Sequence, residues 1–376
     1  MSPQPEVLIP GLCDDLALRC LAMLSHGHHG VLECVSRRWK DAVRSSEYTN
    51  IKAKEGWCGN WLFALTEEQI NTQWIAFDPD ADRWHPLPRI PRADYIIEHR
   101  GFSCITVHNL FFVIGGQYLS NDSLLQHEFP SVTNDVMQFD PFKKRWKRVS
   151  SMRTARSNFA CAVVCGKIYV AGGWNSGSER IASAEVYHPL EDRWEDLPEM
   201  TMPCKDSCGI SYEGQFCVFG GKMEQDHQSI TEVFVPSDWK WHAAKDVNPF
   251  ARTTEFSLTE VGGCLYTISE WQNSIKAKKM DQRDWTVIGS LPPVFLPDHS
   301  RPLESFGFGL VGLGKNIYVL GGKVLKFARS AAPRFDIAKL DLVRVCDPRA
   351  MPLEWREIRS MRGVRGAVVG CCSLYH

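Results

Sequence analysis

Residues 161–174 read Cys-Ala-Val-Val-Cys-Gly-Lys-Ile-Tyr-Val-Ala-Gly-Gly-Trp, and residues 184–198 read Ala-Glu-Val-Tyr-His-Pro-Leu-Glu-Asp-Arg-Trp-Glu-Asp-Leu-Pro. Turn residues divide this segment into four short strands. Residues 165–167 are a tight hairpin signal, and the double glycine at 172–173 ends a continuous apolar run. The segment therefore predicts a small antiparallel sheet with apolar residues on both faces, which cannot be stable alone.

The same pattern recurs along the chain with drift. Its copies lie at residues 110–116 with 136–146, 216–221 with 231–241, 264–270 with 284–285, 317–322 with 342–355 and, in part, 61–84. The period is roughly 45–50 residues, which is typical of propellers and solenoids, and four strands per unit favour the propeller. The partial copy lacks a first strand, which residues 365–372 can supply. We therefore predict an all-β propeller of six blades over residues 59–376, its ring closed by a C-terminal strand at 365–372.

At the residue level the repeat resembles the kelch repeat. The shared features are the double glycine, the aromatic residue before Asp-Pro and the regularly spaced tryptophans, and the resemblance extends from Trp57 to the C-terminus. It implies a kelch β-propeller. The periodic place of the tryptophans predicts that they pack between blades and do not form a binding stripe; they are Trp84, Trp146, Trp194, Trp241, Trp285 and Trp355.

The N-terminal residues follow a different pattern. We predict a small all-α module of three short helices at residues 5–48 and a linker at 49–58. Asp14 or Asp15 can cap the first helix, and the polar segment 25–30 ends it. Two further helical runs follow at 31–35 and 36–43. Three such helices make a very small core, which usually needs a partner surface to complete it.

This module resembles an F-box, because residues 8–16 match the opening of that motif and residues 34–39 match its closing. Cys13 stands where the family commonly has proline. The family binds the Skp adaptor of cullin-based ubiquitin ligases through apolar residues, some of which belong to the module's own core. The matching positions are Pro10, Leu12, Leu16, Leu21, Val35 and Trp39. The alternative is a helical subdomain that only caps the propeller.

One face of the predicted propeller is the candidate surface for a target protein. Because strands alternate in direction, the segments before the first strands and after the second strands lie on the same face. The candidate target-binding residues on this face are Arg100, Arg156, Arg252, Arg365, Tyr118, Trp174 and Trp271. The four arginines are expected at equivalent positions around the channel mouth, where they would hold an acidic or phosphorylated segment. The alternative is that each arginine bonds the backbone of a neighbouring blade.

Two connections on that face, residues 117–134 and 323–339, are longer than a hairpin needs. Long loops on a rigid scaffold often carry function, and the alternative is a disordered insertion.

The composition argues against several classes of site and partner. The formal net charge of −1 gives no basic field for nucleic acid, and no apolar run is long enough to span a bilayer. Most of the 14 cysteines lie inside strand patterns, among them Cys104, Cys161, Cys165, Cys217, Cys264 and Cys371. They are expected to be buried free thiols in a reducing compartment, the cytoplasm or the nucleus. The histidines at 26, 28 and 29 are interpreted as an inter-helix loop without a metal, and no cofactor is expected.

The two resemblances together imply a non-catalytic receptor. Its helical module would bind the Skp adaptor and through it a cullin, and its propeller would bind a target protein for ubiquitination. An enzyme on the same fold is the first alternative, and it would need a copper site or an iron site. An acid four residues before a histidine occurs only at Asp238, before His242, and Phe234 lacks the required carboxylate. A scaffold that binds partners without ubiquitination is the second alternative.

Overall fold

The computed structural model describes residues 7–67, 73–91, 96–120, 131–220, 230–243, 258–269, 273–279, 282, 285–299, 301–328, 334–361 and 363–374. The N-terminal part is helical, and strands occupy the rest. The helices are α1 (Asp14–Ala22), α2 (His29–Val35), α3 (Arg37–Val43) and α4 (Ser46–Glu55), with a 3-10 turn at His26–His28 between α1 and α2.

The helical module has one helix more than predicted, because α4 occupies most of the expected linker. The Ser45 hydroxyl accepts a hydrogen bond from Tyr48 N at 3.1 Å and so begins α4, and Gly56 ends it at a positive φ of 67°. The segment has few apolar residues, so it lacks the stripe that marks an amphipathic helix. The expected capping of α1 by Asp14 or Asp15 is also wrong, because Cys13 holds the N-cap position and both acids lie in the first turn.

The described residues contain thirty strands. The first ten are β1 (Trp61–Thr66), β2 (Ile75–Asp78), β3 (Arg83–Pro86), β4 (Ile96–Arg100), β5 (Ser103–Val107), β6 (Leu110–Ile114), β7 (Gln117–Ser120), β8 (Ser131–Val132), β9 (Val136–Asp140) and β10 (Arg145–Val149). The next ten are β11 (Ala160–Val164), β12 (Lys167–Ala171), β13 (Ala184–His188), β14 (Arg193–Leu197), β15 (Ser207–Tyr212), β16 (Gln215–Gly220), β17 (Ile230–Val235), β18 (Lys240–Ala243), β19 (Leu258–Val261) and β20 (Cys264–Ser269). The last ten are β21 (Ser274–Lys279), β22 (Thr286–Ser290), β23 (Ser305–Phe306), β24 (Gly309–Leu313), β25 (Asn316–Leu320), β26 (Lys323–Ala328), β27 (Arg334–Lys339), β28 (Val343–Cys346), β29 (Arg356–Ile358) and β30 (Val368–Leu374).

These strands form a series of antiparallel sheets with four strands each. In the described ranges the orders are β3-β2-β1-β30 (sheet 1), β10-β9-β6-β5 (sheet 2), β11-β12-β13-β14 (sheet 3), β15-β16-β17-β18 (sheet 4), β19-β20-β21-β22 (sheet 5) and β24-β25-β28-β29 (sheet 6). Sheet 3 is the segment 161–198 of the sequence, and its four strands lie where the turn signals placed them. Its first hairpin turns at Cys165 and Gly166, both with positive φ, so Cys165 is exposed and not buried as expected.

The C-terminal strand β30 belongs to sheet 1. It pairs with β1 from Trp61↔Leu374 to Thr66↔Val368, so residues from the two ends of the sheet region share one sheet. First strands of neighbouring sheets also lie side by side, in the pairs β24 with β30, β30 with β5, β5 with β11 and β11 with β15. Apolar side chains fill the space between sheets, as in the stacked rings of Phe63 and Phe111, whose centroids are 4.5 Å apart.

The two long connections are not loops where the structure describes them. In each, a hairpin and the segment before the first strand form an additional three-stranded sheet, β4-β7-β8 above sheet 2 and β23-β26-β27 above sheet 6. We call these two the crown sheets. Both lie on the face where the first strands begin, which we call the first-strand face. The strands were not predicted, because these connections were interpreted only by their length; residues 334–337, Arg-Phe-Asp-Ile, do alternate as a strand does.

Candidate interaction surfaces

The helical module divides its apolar residues between a core and an exposed face. Leu21 is 3% exposed and belongs to the module's core, so it is not available to an adaptor in this conformation, contrary to the prediction. Leu12 and Trp39 are half-buried against the same core. The Trp39 indole also donates a hydrogen bond to Leu8 O at 2.7 Å, which ties α3 to the segment before α1. Both residues therefore have a structural role.

The exposed face contains the other predicted residues. Leu16 is 53% exposed and Val35 is 56% exposed, and Pro10 is also exposed. Two further residues of this face were not predicted: Met23, the C-cap residue of α1, and Val31 on α2, which are 64% and 60% exposed. The spacings 16–23 and 31–35 place these side chains on one stripe of each helix. Exposed apolar stripes on helices mark a surface that a partner can cover.

The segment between α1 and α2 is the contact between the helical module and the strand region. Ser25 donates a hydrogen bond from its hydroxyl to the carboxylate of Asp78, and the His26 ring packs edge-on against Phe142 at 4.3 Å. Asp78 and Phe142 lie at turns between the third and fourth strands of sheets 1 and 2. The helical module therefore packs on the face opposite the first-strand face. The histidines interpreted as incidental are part of this junction, since His26 is 6% exposed and His29 is fully buried.

His29 is held inside the helical module by the last helix. Its Nε2 is 2.8 Å from the hydroxyl of Tyr48, which also donates to Leu21 O at 3.3 Å. Lys52 is buried beside them, and its ammonium donates to Leu24 O at 2.6 Å and to Trp57 O at 2.9 Å. Burial lowers the pKa of His29 to about 3 and that of Lys52 to about 8.

On the first-strand face, the segments that lead into the first strands are joined by backbone hydrogen bonds. Asn158 N donates to Gly101 O at 2.7 Å, and Asp206 N donates to Asn158 O at 3.0 Å. Gly101, Asn158 and Asp206 all have positive φ, between 51° and 63°. They are therefore structurally equivalent, and so are the residues that precede them.

This register corrects the expected ring of arginines. Arg100 directly precedes the positive-φ residue, and its equivalents are Ser157 and Lys205. Arg156 lies two positions before the positive-φ residue Asn158, and so one position earlier than Arg100. Its carbonyl accepts a hydrogen bond from Gly116 N, and Gly366 O accepts the equivalent bond from Gly322 N, so Arg156 and Gly366 are equivalent. Arg365 lies one position earlier still. In extended backbone a shift of one residue turns the side chain to the opposite side, so these three arginines do not share one orientation.

Arg156 is a structural residue. Its side chain is fully buried, and its guanidinium donates to Gly172 O and Ser183 O, both at 2.9 Å, and to the carboxylate of Glu185 at 2.8 Å. Its assignment to target binding is therefore wrong. The alternative of a bond to the backbone of a neighbouring blade does not apply either, because Gly172, Ser183 and Glu185 all lie in or directly beside strands of sheet 3, which Arg156 precedes. Arg252 and Trp271 lie outside the described residues.

The remaining predicted residues line the first-strand face. Arg100 and Arg365 are exposed, and Arg100 forms an ion pair with Glu98. Tyr118 is half-buried, with its ring 4.5 Å from that of His99. The Lys205 ammonium lies 4.1 Å from the centre of the Trp174 ring, a cation–π contact that the sequence analysis missed. Positive and aromatic side chains are therefore both present on this face.

The crown sheet above sheet 6 adds an exposed apolar patch. Leu325 pairs with Ile337 across the hairpin, and these residues are 48% and 55% exposed, while Phe335 is 67% exposed. Lys323 at the base of the hairpin forms an ion pair with Glu67 at 2.5 Å. The length of the connection 323–339 indicated this segment, whereas these exposed side chains were not predicted.

Five of the periodic tryptophans connect neighbouring sheets, as predicted. Each lies in or directly before a fourth strand, and its indole N–H donates to a carbonyl at or after the end of the fourth strand of the preceding sheet. The distances are 2.7–3.2 Å, and the pairs are Trp84 to Arg359, Trp146 to Pro88, Trp194 to Ser150, Trp241 to Pro198 and Trp355 to Ser290. The bond from Trp84 joins sheet 1 to sheet 6.

The cysteines and the candidate metal ligands of the described residues can be compared with the expectations from the sequence. All 14 cysteines are free, and burial raises the pKa of Cys161 to about 12 and of Cys208 to about 11, so these thiols stay neutral. Among the residues that the structure describes, no group of three or more His, Cys, Asp or Glu side chains is placed to hold a metal ion. Nor is any helix in the described ranges long and apolar enough to cross a membrane.

Comparisons with known proteins agree with this division of the chain. The F-box domain family matches residues 9–50, and the Kelch motif family matches residues 155–201. The chain is 52% identical to the F-box/kelch-repeat protein At1g16250 of Arabidopsis thaliana over 98% of this chain and 97% of that protein. It is 27% identical to the Arabidopsis F-box/kelch-repeat protein SKIP30 over 98% of this chain and 97% of that protein. It is 28% identical to the Arabidopsis F-box/kelch-repeat protein At1g67480 over 86% of this chain and 80% of that protein.

Proposed function

The chain belongs to the F-box/kelch-repeat protein family, and from this membership we propose that it is the substrate-binding subunit of a Skp–cullin–F-box ubiquitin ligase. In this proposal the helical module binds a Skp-type adaptor, the adaptor binds a cullin, and the strand region holds a target protein for ubiquitination in the cytoplasm or nucleus. The chain itself performs no covalent step.

The observation that carries the proposal is the position of the two surfaces. The helical module packs on one face of the strand region, and its exposed apolar stripes, with Leu16 and Val35, face away from its core. The positive and aromatic groups described above lie on the opposite face. A protein with this arrangement can hold an adaptor and a target at the same time without competition between them.

The proposal includes a closed ring of six blades, formed by sheets 1–6. Three observations support closure: β30 pairs with β1, β24 lies against β30, and Trp84 donates to Arg359 O across the same boundary. Closure would leave no unpaired edge between sheets 6 and 1 and would make the first-strand face rigid.

A pull-down with purified Skp-type adaptor tests the adaptor half of the proposal. The intact chain should bind, and the double variant Leu16→Asp and Val35→Asp should not, because both changes place charge on the exposed stripes and leave the core intact. Leu190→Asp is the matched control: Leu190 is 87% exposed but lies on a turn of sheet 3, so binding should be retained. Trp39→Ala is unsuitable as a test, since it removes the hydrogen bond to Leu8 and a packing contact with the module's own core. Failure of the intact chain to bind would refute the proposal.

For the target, we propose the first-strand face as the binding surface, with Arg100, Lys205, Trp174 and Arg365 as contacts. An acidic or phosphorylated segment suits these groups, because guanidinium groups bind carboxylates and phosphates bidentately. The variant Arg100→Glu with Arg365→Glu should lose specific co-purifying proteins while it retains the adaptor, and Leu190→Asp should lose neither. If both variants co-purify the same proteins, the target binds elsewhere.

A further inference from the structure

A cavity of about 410 Å³ lies at the junction between the helical module and sheets 1 and 2. The helical module contributes His26, Gly27 and Gly30 to it, and the strand region contributes mainly apolar walls, with the rings of Trp61, Phe63 and Phe139. Ligand sites of small molecules are typically concave, mostly apolar and larger than about 300 Å³, and they are frequent between domains. The volume and the position fit that description.

Two polar groups reach this cavity from the strand region. The first is Lys144, whose ammonium is 3.8 Å from the carboxylate of Glu33 and 3.8 Å from the position that a Cβ on Gly30 would take. An ion pair at 3.8 Å is at the outer limit of such contacts, and a closer anion can replace it. Lys144 is therefore a cation that can accept a new carboxylate.

The second polar group is His85. Its Nε2 atom is buried and has no hydrogen-bond partner among the described residues. A buried polar atom without a partner is destabilising, and a ligand that supplies the missing partner removes that penalty. Burial lowers the pKa of His85, so the ring is neutral and can donate or accept through this atom.

We propose that this cavity binds a flat, largely apolar organic acid of one or two rings, whose carboxylate pairs with Lys144. The ring system lies against Trp61 and Phe139, and His85 offers a hydrogen bond to a polar substituent. A neutral apolar molecule would leave Lys144 with its long ion pair, and a cation would be repelled by it. Because both modules line the cavity, the bound acid also strengthens the junction between them.

Calorimetric titration of the full chain with 2-naphthoate tests the proposal, with 2-naphthamide as the uncharged probe. The naphthoate should bind saturably, and the amide at least about tenfold more weakly, which corresponds to the loss of one hydrogen bond to a charged group. Lys144→Met should lower the affinity for naphthoate by the same factor. Lys143→Met is the matched control, since it removes the same charge from the adjacent residue, which does not line the cavity.

Two further variants separate loss of the site from loss of the fold. Glu33→Gln removes the competing carboxylate and should keep or increase the affinity. Gly30→Trp should abolish binding by filling the cavity, because the space beside Gly30 is open except for Lys144. No saturable binding of naphthoate to the intact chain, or equal affinity in the Lys144→Met and Lys143→Met variants, would overturn the proposal. The adaptor pull-down is independent of this result, so either proposal can fail alone.

Discussion

The guanidinium of Arg156 donates a hydrogen bond to the carboxylate of Glu185 at 2.8 Å, with both side chains 0–1% exposed. Glu185 also accepts hydrogen bonds from Arg153 N at 2.7 Å and Thr154 N at 3.1 Å, so it fixes the segment that leads into sheet 3. Glu232 holds the next segment in the same way, through Thr201 N and Met202 N. The buried Arg156–Glu185 pair therefore fixes the backbone of a segment that lies on the first-strand face.

Replacement of Arg156 by methionine should therefore destabilise the strand region strongly. The loss expected is about 3–5 kcal/mol in the free energy of unfolding, because the carboxylate of Glu185 stays buried without its counter-charge. Denaturant unfolding followed by circular dichroism measures it. Arg153→Met is the matched control: its ion pair with Asp196 is more than half exposed, and the loss should stay below about 1 kcal/mol. Equal losses in the two variants would contradict this account.

Gly27 is predicted to be required at the junction of the two modules. A Cβ at this position would lie 2.7 Å from His85 Nε2 and 2.8 Å from the carboxylate of Asp78. Gly27→Ala should therefore loosen the junction, seen as faster hydrogen exchange of residues 25–30 and 83–86. Gly30→Ala, with no contact closer than 3.8 Å, should leave exchange unchanged. Unchanged exchange in the Gly27 variant would show that the contact is not needed.

Removal of β30 should abolish cooperative unfolding of the strand region. A chain that ends at residue 367 leaves β1 with an unpaired edge and exposes Trp61 and Leu65, which are 7% and 2% exposed in the intact protein. The expected result is aggregation in size-exclusion chromatography. A chain that ends at Leu374 keeps every pair of β30 with β1 and should behave as the intact protein. If the shorter chain stays monomeric and folded, the C-terminal strand does not close the ring.

The stability of the helical module should fall in acid. Burial lowers the pKa of His29 from 6.5 to about 3, so the unfolded chain binds the proton more tightly than the folded protein. The free energy of unfolding therefore falls as the pH drops below 6.5, by at most about 1.4 kcal/mol per pH unit. His29→Gln should remove this slope between about pH 4 and pH 6 in denaturant titrations. His242→Gln is the matched control, because this histidine lies in β18, outside the helical module.

Thiol reactivity should follow exposure. In the native protein the exposed Cys13, Cys20, Cys34 and Cys165 are expected to react first with an alkylating reagent. Four cysteines are buried and should react only on unfolding, because burial raises the pKa of their thiols and shields them from the reagent: Cys58, Cys204, Cys217 and Cys346. Mass spectrometry of peptides from briefly alkylated protein measures the order. Early modification of Cys217, which lies in β16, would show that the strand region opens in the native state.

The repeat in the sequence determined the sheets and their order. Double glycines, Asp-Pro turns and spaced tryptophans are local signals, because each depends on backbone angles or packing within one unit of four strands. Local signals also predicted the first three helices of the helical module, whereas α4 was missed because it has no apolar stripe. The repeat pattern also showed that the C-terminal segment matches a first strand, because this match depends only on the order of residue types along the chain.

Tertiary structure decided which side chains face solvent. Arg100, Arg156 and Arg365 look alike in the sequence, but single-residue shifts in register bury one and expose two. Leu16 and Leu21 both belong to one apolar helix, and only the packing of α1 shows which of them belongs to the core. The junction of His26 with Phe142 joins segments more than a hundred residues apart, so no local pattern could indicate it. Interactions between residues close in the sequence thus determine each helix and each four-stranded sheet. The surfaces that bind partners depend instead on how helices and sheets distant in the sequence pack against each other.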